Sequence, residues 1–269
     1  MKNISLTAIY TFGLITALTS CADISGKDDP TRDWSAQKIH SEALKDLKDD
    51  NYEKASKLYE SLQSRYPYGV DSQKAELEQI YVYYKQKDAA STTTEADRFI
   101  KAHPNHPNVD YAYYLKGLAN FNDDLGLWGI LYTESDIVQR DNKPSLDSYD
   151  SFKELVQRFP NSLYAPDSIK RMQYIINAFA EKDVITARYY YRRSAYIAAV
   201  NRCQEILNRY GTSTYVPEAL YIMSQSYQKM GLTQLQQDTL VILKKNAPNS
   251  PFLVNGDSKL STHWWSYLY

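Results

Sequence analysis

Gln63-Ser64-Arg65-Tyr66-Pro67 decides the fold of this chain, because four later stretches end in the same way. Each of the five stretches closes on a proline or a glycine. Proline lacks an amide donor and glycine readily takes up left-handed C-cap geometry, so both residues terminate helices. The sequence therefore predicts five helices that end at one shared point of a repeat. The four later copies are Ile100-Lys101-Ala102-His103-Pro104, Val156-Gln157-Arg158-Phe159-Pro160, Leu207-Asn208-Arg209-Tyr210-Gly211 and Lys244-Lys245-Asn246-Ala247-Pro248.

Positions counted from this helix breaker carry similar residues in every copy. The residue five positions before the breaker is large and apolar. The residue eight positions before the breaker is apolar in most copies, and the residue eight positions after the breaker is small. The two preceding positions share one face of a helix and predict a buried stripe, whereas a small residue lets two helices approach closely. In this order the three sets are Leu62, Phe99, Leu155, Ile206 and Leu243; Tyr59, Ala96, Phe152, Cys203 and Leu240; and Ala75, Ala112, Ser168 and Ala219.

Each repeat is predicted to be a helix, a short turn, a second helix and a breaker. In the first repeat Tyr52, Ala55, Tyr59, Leu62 and Pro67 have the spacing of the second half of a tetratricopeptide (TPR) repeat. One repeat cannot bury its own apolar face, so neighbouring repeats must stack. We therefore predict an all-α fold, a right-handed TPR-like solenoid of about five helix pairs whose concave side forms an extended groove.

The distances between breakers indicate where the chain departs from the repeat. The breakers at 67 and 104, and those at 211 and 248, are 37 residues apart. The longer gap from 104 to 160 predicts an insertion at 123–144 in the third repeat, and the gap from 160 to 211 leaves room for an extra helical piece near Val184 to Arg192. The predicted domains are a solenoid at 33–250, with N-terminal repeats at 33–122 and C-terminal repeats at 145–250, and an aromatic C-terminal tail at 251–269.

The N-terminus carries an export signal. Lys2 precedes an apolar run from Ile4 to Leu18 that is shorter than the about 20 residues that span a bilayer. Leu18-Thr19-Ser20-Cys21 resembles the bacterial lipobox, which implies a signal peptide at 1–20, an N-acyl and S-diacylglycerol lipid on Cys21 and a flexible tether at 21–32. The alternative is an ordinary signal with a cysteine there by chance. Ala22, in place of an aspartate, resembles the signal for outer-membrane sorting.

Composition and motifs exclude several classes of function. The net charge is −1 without a basic stripe, so nucleic acid is not an expected partner. Lipidation of Cys21 leaves Cys203 without a disulfide partner, and its place on an apolar helix face predicts a buried, inert thiol. His103 and His106 are spaced as metal ligands, but the adjacent prolines favour a linker between helices. We predict no catalytic residue, no metal site, no cofactor apart from the lipid, and no enzyme.

Aromatic residues cluster at three places. Most of Tyr81, Tyr83, Tyr84, Tyr111, Tyr113 and Tyr114 are predicted to be core, with one or two exposed in the groove. The run Arg188-Tyr189-Tyr190-Tyr191-Arg192-Arg193 is typical of interface hot spots, although a solvated helix face with buried rings is about as good an interpretation. The stretch from Thr262 to Tyr269 can dock on the last repeat or contact a membrane or a partner, and the sequence leaves this open.

Several motifs resemble the BamD/ComL family, the TPR lipoproteins of the outer-membrane β-barrel assembly machinery. The resemblance extends from about Trp34 to Leu243. The chain differs from the family pattern at Gly211, where the family usually has proline, in the insertion and in its aromatic C-terminal extension. The motifs are Arg65-Tyr66-Pro67-Tyr68-Gly69, Ile80-Tyr81-Val82-Tyr83-Tyr84, Asp97-Arg98-Phe99-Ile100 with His106-Pro107-Asn108, Lys116-Gly117-Leu118, Phe159-Pro160-Asn161-Ser162, and Ala187-Arg188-Tyr189-Tyr190 with the run from Arg193 to Arg202.

The resemblance implies a non-enzymatic assembly factor on the periplasmic face of the outer membrane. Members of this family bind the POTRA domains of the insertase BamA through their C-terminal half, act with other lipoproteins of the complex and engage unfolded outer-membrane proteins. Carried over by motif, Arg202, with Arg193 and Arg188, would contact a BamA-like partner. Tyr66 and Tyr68 would line a substrate pocket in the N-terminal repeats.

The predicted contact of Arg202 has a physical basis, because an arginine beside a helix end can form a desolvated ion pair with an acidic partner. Two other functions remain to be weighed against the assembly factor. One is a periplasmic TPR scaffold that coordinates cell-wall synthesis, and the other is an envelope hydrolase with a helical accessory domain. No set of residues in the sequence supports the hydrolase.

Overall fold

The structure, a computed structural model, describes residues 30–121 and 143–255. The predicted signal peptide, Cys21, nearly all of the insertion and the tail beyond 255 lie outside these residues. The described residues are helical with no β-strand, and none of their helices is long and apolar enough to cross a membrane. The helices are α1 (Ala36–Lys48), α2 (Tyr52–Arg65), α3 (Val70–Lys85), α4 (Ala89–Ala102), α5 (Val109–Ala119), α6 (Lys143–Arg158), α7 (Ala165–Arg192), α8 (Tyr196–Arg209), α9 (Val216–Lys229), α10 (Thr233–Asn246) and α11 (Pro251–Asn255).

The chain divides into two compact units, one up to Ala75 and one from Glu76 onward. In the first unit α1 packs on α2 through fully buried side chains from both helices. The hydroxyl of Ser35 caps α1 by accepting a hydrogen bond from the amide of Lys38 at 3.3 Å. This pair is the first helix-turn-helix unit of the repeat. Its core consists of Ile39, Ala43, Ala55, Tyr59 and Leu62.

The helices end where the repeat predicts. Each second helix of a pair stops two residues before its proline or glycine breaker. The residue between helix and breaker donates its amide to the carbonyl of the apolar residue four positions earlier, at 2.8 Å in all five copies. Five independent stretches therefore share one C-terminal geometry. The donor and acceptor pairs are Tyr66 and Leu62, His103 and Phe99, Phe159 and Leu155, Tyr210 and Ile206, and Ala247 and Leu243.

Burial confirms the three repeat positions. All five apolar residues at five before the breaker are at most 1% exposed, and all four small residues at eight after it are fully buried. A separate close approach occurs in the third repeat, where Gly117, five residues after Ala112 on α5, faces the ring of Phe152. At eight before the breaker four side chains are fully buried, whereas Leu240 in the last repeat is only half-buried.

In the second unit each helix from α4 to α9 packs on the next one along the chain, and α11 packs on α9. The first helices of neighbouring repeats also meet, since α7 packs on α9 as well as on α8. As a result α9 is buried on most of its surface, including Leu220, Ile222 and Ser226. Repeated pairs of helices that bury their apolar faces only against neighbours make this an all-α, TPR-like repeat fold.

Three boundaries differ from the prediction. The extra helical piece near Val184 to Arg192 is the last part of one continuous 28-residue helix, α7, because no glycine or proline interrupts the chain after Pro166. The helix α6 begins at Lys143, inside the predicted insertion, with Pro144 tolerated in its first turn. The predicted C-terminal tail opens with a helical segment, α11.

Candidate partner-binding surfaces

The Tyr-Arg run lies at the end of α7, and its first arginine is turned inward. The guanidinium of Arg188 donates through Nε and Nη2 to the two carboxylate oxygens of Glu218, with the Nη2 to Oε2 distance 2.6 Å. The two side chains are only 14% and 8% exposed. A bidentate pair of this kind is directional and strong once it is desolvated. Arg188 therefore holds α7 to α9, and its contact with a partner stays a prediction.

Arg193, in contrast, is exposed at the point where the chain leaves α7. Its guanidinium carbon lies 5.5 Å from the centre of the Tyr189 ring, which is within cation–π range. Ser194 follows with a positive φ of 60°, and α8 begins two residues later. Ile197, in the first turn of α8, is 70% exposed. This short stretch presents a cation, an aromatic ring and an aliphatic side chain to solvent.

Arg202 lies in the middle of α8, so the prediction that it stands beside a helix end is wrong. The helix continues to Arg209 because no breaker precedes Gly211. The Arg202 guanidinium is 46% exposed and lies 3.6 Å from the carboxylate of Asp183 on α7. Burial raises the pKa of Asp183, and the positive charge of Arg202 opposes this shift. Arg202 can therefore reach a partner while it remains attached to α7.

We call Tyr189, Arg193, Ile197 and Arg202 the α7–α8 surface. The structure places Tyr189 on α7, Arg193 at the C-cap of α7, and Ile197 and Arg202 on α8, with exposed fractions of 36% for Tyr189 and 46% for the Arg202 side chain. Of the three predicted arginines, Arg193 and Arg202 are available for a partner, whereas Arg188 is paired in the core. Sequence reasoning did not single out Ile197, whose only signal is an apolar side chain on the polar side of α8.

Tyr66 and Tyr68 lie in the first unit, in the loop between α2 and α3. The Tyr66 hydroxyl donates to the carbonyl of Trp34 at 2.9 Å, and the ring is 37% exposed. Next to it, Arg65 donates through Nη2 to the Thr31 hydroxyl at 3.0 Å and through Nη1 to the Thr31 carbonyl. Tyr66 thus holds the start of the described chain, whereas Tyr68 is 92% exposed and available for contact.

A second aromatic surface lies on the first helices of the second unit. We call Tyr81, Tyr84, Tyr111, Tyr114 and Tyr164 the tyrosine surface. All five are half-buried and pack over the same buried cluster. Tyr164 stacks on Tyr114 with 4.7 Å between ring centres and lies 5.2 Å from Tyr111. Burial, followed by the neighbouring tyrosines, raises the pKa of Tyr111.

The expectation that most of the sequence-predicted tyrosines are core is wrong. Of the six, only Tyr113 is buried, at 3% exposed, and Tyr83 is half-buried like the others. The other five are partly covered, as amphipathic side chains often are. Sequence reasoning missed Tyr164, which occupies the same place before a first helix as Tyr215 does in the next repeat.

Charged groups fix one end of the tyrosine surface. The Tyr114 hydroxyl donates to Asp167 at 2.7 Å, and the Arg171 Nε donates to the same carboxylate oxygen at 2.6 Å. Burial and the Asp167 carboxylate raise the pKa of Tyr114 to about 12. The Tyr114 phenol is therefore neutral at physiological pH and held in place by Asp167, which suits contact of its ring with apolar and aromatic groups.

The remaining candidate residues have structural surroundings. Cys203 is fully buried, which confirms the predicted burial of its thiol, and burial raises its pKa. His103 Nε2 lies 3.1 Å from a carboxylate oxygen of Glu76, and the His106 ring packs edge-on against Phe99. Within residues 30–121 and 143–255 no three histidine, cysteine or acidic side chains come together in a group that can hold a metal ion.

Comparison with known proteins agrees with these features. A family model described as an outer membrane lipoprotein (YfiO) matches residues 32–241. The chain is 42% identical to the outer membrane protein assembly factor BamD of Neisseria meningitidis serogroup A, with 99% of each chain covered. It is 34% identical to the BamD of Vibrio cholerae, covering 91% of this chain and 99% of that one. For the BamD of Xylella fastidiosa strain 9a5c the identity is 32%, with 91% and 82% covered.

Proposed function

The chain belongs to the BamD family and is an outer membrane protein assembly factor, and from this premise we propose that its α7–α8 surface binds a BamA-type insertase. The partner surface would be a POTRA domain in the periplasm. The exposed cation–aromatic–aliphatic combination at Arg193, Tyr189 and Ile197 carries this proposal, because arginine and tyrosine are enriched where interfaces concentrate their binding energy.

Arg202 supplies the electrostatic part of this contact. It is half-exposed and its pairing with Asp183 is long, at 3.6 Å, so an acidic side chain on the partner can compete for the guanidinium. Arg188 contributes indirectly, since its bond to Glu218 fixes the end of α7 that presents Tyr189 and Arg193. Binding by a prearranged surface costs less ordering entropy than binding by a loop.

The proposal also includes unfolded outer-membrane proteins as substrates. Tyr68, exposed in the loop after α2, and the half-buried rings of the tyrosine surface offer flat apolar faces with polar edges. Such faces suit the alternating apolar side chains of an unfolded β-strand. Within this proposal Tyr66 positions the loop through its bond to Trp34.

We further propose that a lipid on Cys21 anchors the chain to the outer membrane from the periplasmic side. The lipobox-like Leu18-Thr19-Ser20-Cys21 supports this assignment, and more than one acyl chain gives stable anchoring. Residues 21 to 30 extend over at most about 35 Å. The repeats would therefore stay close to the membrane in which the substrates are inserted.

Co-purification of a BamA-type insertase tests the central proposal. Detergent-solubilised wild-type protein should enrich the insertase over an unrelated lipoprotein. Arg202→Glu places a carboxylate beside Asp183 and should lower the enrichment at least tenfold, as expected when one desolvated ion pair is lost. The helical circular dichroism should not change.

Lys153→Glu is the matched control, since it reverses one exposed charge on α6 and should leave enrichment unchanged. Equal enrichment by wild type and Arg202→Glu would contradict the assignment of the α7–α8 surface. Absence of the insertase from the wild-type eluate would contradict the proposed partner itself.

A further inference from the structure

The turn after α10 repeats the turns that open α7 and α9. In all three a serine amide donates to a carbonyl three residues earlier, and the serine hydroxyl accepts the amide two residues later. The serine carbonyl then accepts a hydrogen bond from the amide three residues later. This bond begins the first helix of the following repeat. The serine hydroxyl bonds are Tyr164 to Ser162 at 3.1 Å, Tyr215 to Ser213 at 3.2 Å and Phe252 to Ser250 at 3.4 Å. The segment α11 is thus the start of the first helix of a sixth repeat.

The side chains of α11 also occupy the places of a first helix. Leu253, equivalent to Val216 and Ala165, packs with Leu220, Tyr221 and Leu243. The Phe252 ring stacks on Tyr221 with 5.5 Å between ring centres. The start of α11 therefore packs on the preceding helices in the same way as the start of α9 does.

The repeat register continues in the sequence beyond α11. Gly256 stands eight residues after Pro248, the position that is small in every earlier copy. From Leu253 onward, Leu260, Trp264 and Tyr267 follow with spacings of seven, four and three residues, which places them on one side of a helix. Ser258, Lys259 and Thr262 fall on the opposite side.

The surface of α10 lacks the cover that every earlier second helix has. Leu240 is half-buried, whereas its counterparts Cys203 and Phe152 are fully buried. Leu235 and Ile242 are also 45% and 47% exposed, but they lie on another side of α10, about 140–160° around the helix from Leu240. The terminal helix of a repeat array normally turns a polar face outward or carries a capping helix. α10 has no fully polar face.

We propose that residues 256–269 pack on α10 as the first helix of a sixth, half repeat, with Leu260, Trp264 and Tyr267 against the Leu240 side of α10. The 14 residues of the tail, at about 1.5 Å each, match the 14 residues of α10 in length. The contact lies within one chain, so it does not depend on the proposed partner. It makes the aromatic tail a structural cap.

Amide hydrogen exchange tests this cap on the chain from residue 21 onward with Cys21→Ser. Amides of residues 258–266 should exchange at least tenfold more slowly than in an unstructured peptide of the same sequence. Trp264→Ser should abolish this protection, because the ring belongs to the packed face. Trp265→Ser is the matched control: its ring points about 100° away from that of Trp264, and protection should remain.

Three outcomes would overturn the proposal. One is unprotected amides at 258–266 in the parent chain, and another is equal loss of protection in both tryptophan variants. The third is protection that arises only when vesicles of phosphatidylethanolamine and phosphatidylglycerol are added, since this would assign the tail to a membrane surface. Protection that is independent of vesicles and lost only in Trp264→Ser supports the cap.

Discussion

At the scale of single residues, the Arg188–Glu218 pair shows how a charged side chain can serve the core. Removing one partner leaves the other charge buried without compensation, which costs about 3–5 kcal/mol. We expect Arg188→Met to lower the free energy of unfolding by about that amount, measured by urea denaturation, and Arg188→Met with Glu218→Leu to lower it less.

The pair of Arg202 and Asp183, whose side chains are 46% and 19% exposed and lie 3.6 Å apart, provides the comparison. Because Arg202 is 46% exposed, Arg202→Met should change the free energy of unfolding by less than about 1 kcal/mol. If Arg188→Met and Arg202→Met lower the free energy of unfolding by similar amounts, burial of the Arg188–Glu218 pair does not determine how much that pair contributes to stability.

Gly117 shows a close approach between helices. A Cβ atom at this position would lie 2.5 Å from Cε1 of Phe152, far inside van der Waals contact. Gly117→Ala should therefore destabilise the fold by about 1–3 kcal/mol, despite the higher helix propensity of alanine. Thermal denaturation measures this loss, and Phe152→Leu in the same chain should restore part of it. A Gly117→Ala protein that melts at or above the wild-type temperature would contradict the close packing.

Sequence patterns identified residues at the core better than residues at the surface. The positions five before each breaker could be predicted because helix period and chain termination act locally, as Leu62 and Ile206 show. The orientation of Arg188 could not, since it depends on Glu218, 30 residues further on. Tyr66 was predicted as a substrate contact, and its bond to Trp34 likewise depends on a distant backbone carbonyl.

At the scale of elements, the turns that open α5, α7 and α9 use one hydrogen-bond acceptor in two chemical forms. In the turn before α5 this acceptor is His106 Nδ1, which receives the Asn108 amide at 3.1 Å, whereas later turns use a serine hydroxyl. Burial, followed by the charge of His103, lowers the pKa of His106. The neutral imidazole is therefore the form that the folded turn requires.

This turn predicts a pH dependence of stability. Because the pKa of His106 is lower in the folded than in the unfolded chain, stability should fall as the pH drops below about 6.5, the ordinary histidine pKa. His106→Ser keeps an acceptor at this position and removes the titration. Urea midpoints measured between pH 7.5 and 5 should fall less steeply for His106→Ser than for wild type, and parallel curves would disprove this role.

Helix ends could be predicted from sequence more reliably than helix lengths. The breaker Pro67 stops a helix because it has no amide donor. Gly211 follows the end of α8 at the same position but without a positive φ, so the left-handed C-cap predicted for it is wrong. The 28-residue length of α7 follows only from the absence of a stop after Pro166, whereas the spacing of the breakers predicted an extra helical piece. Buried Val184 and Ala187 continue the apolar stripe of α7 without a break.

At the scale of the whole molecule, the proposed lipid anchor would make the place of the chain in the cell depend on one thiol. Cys21→Ser should block lipid attachment and processing of the signal peptide, because both reactions require the cysteine. Membrane fractionation and intact mass measure this. Wild-type protein should be found in the outer-membrane fraction with the added mass of its acyl groups. Recovery of an acylated Cys21→Ser protein, or of an unmodified wild-type chain, would refute lipidation at this residue.

The bonds from Arg65 and Tyr66 to Thr31 and Trp34 determine how the described chain responds to mechanical load. Tension applied to the backbone at Thr31 passes directly into the end of α2 through the Arg65 guanidinium, and not only into the first turn of α1. The Tyr66 bond to Trp34 adds a second attachment three residues further on. A pull from the N-terminal side is thus shared by two helices, so that α1 is protected from being peeled off one turn at a time.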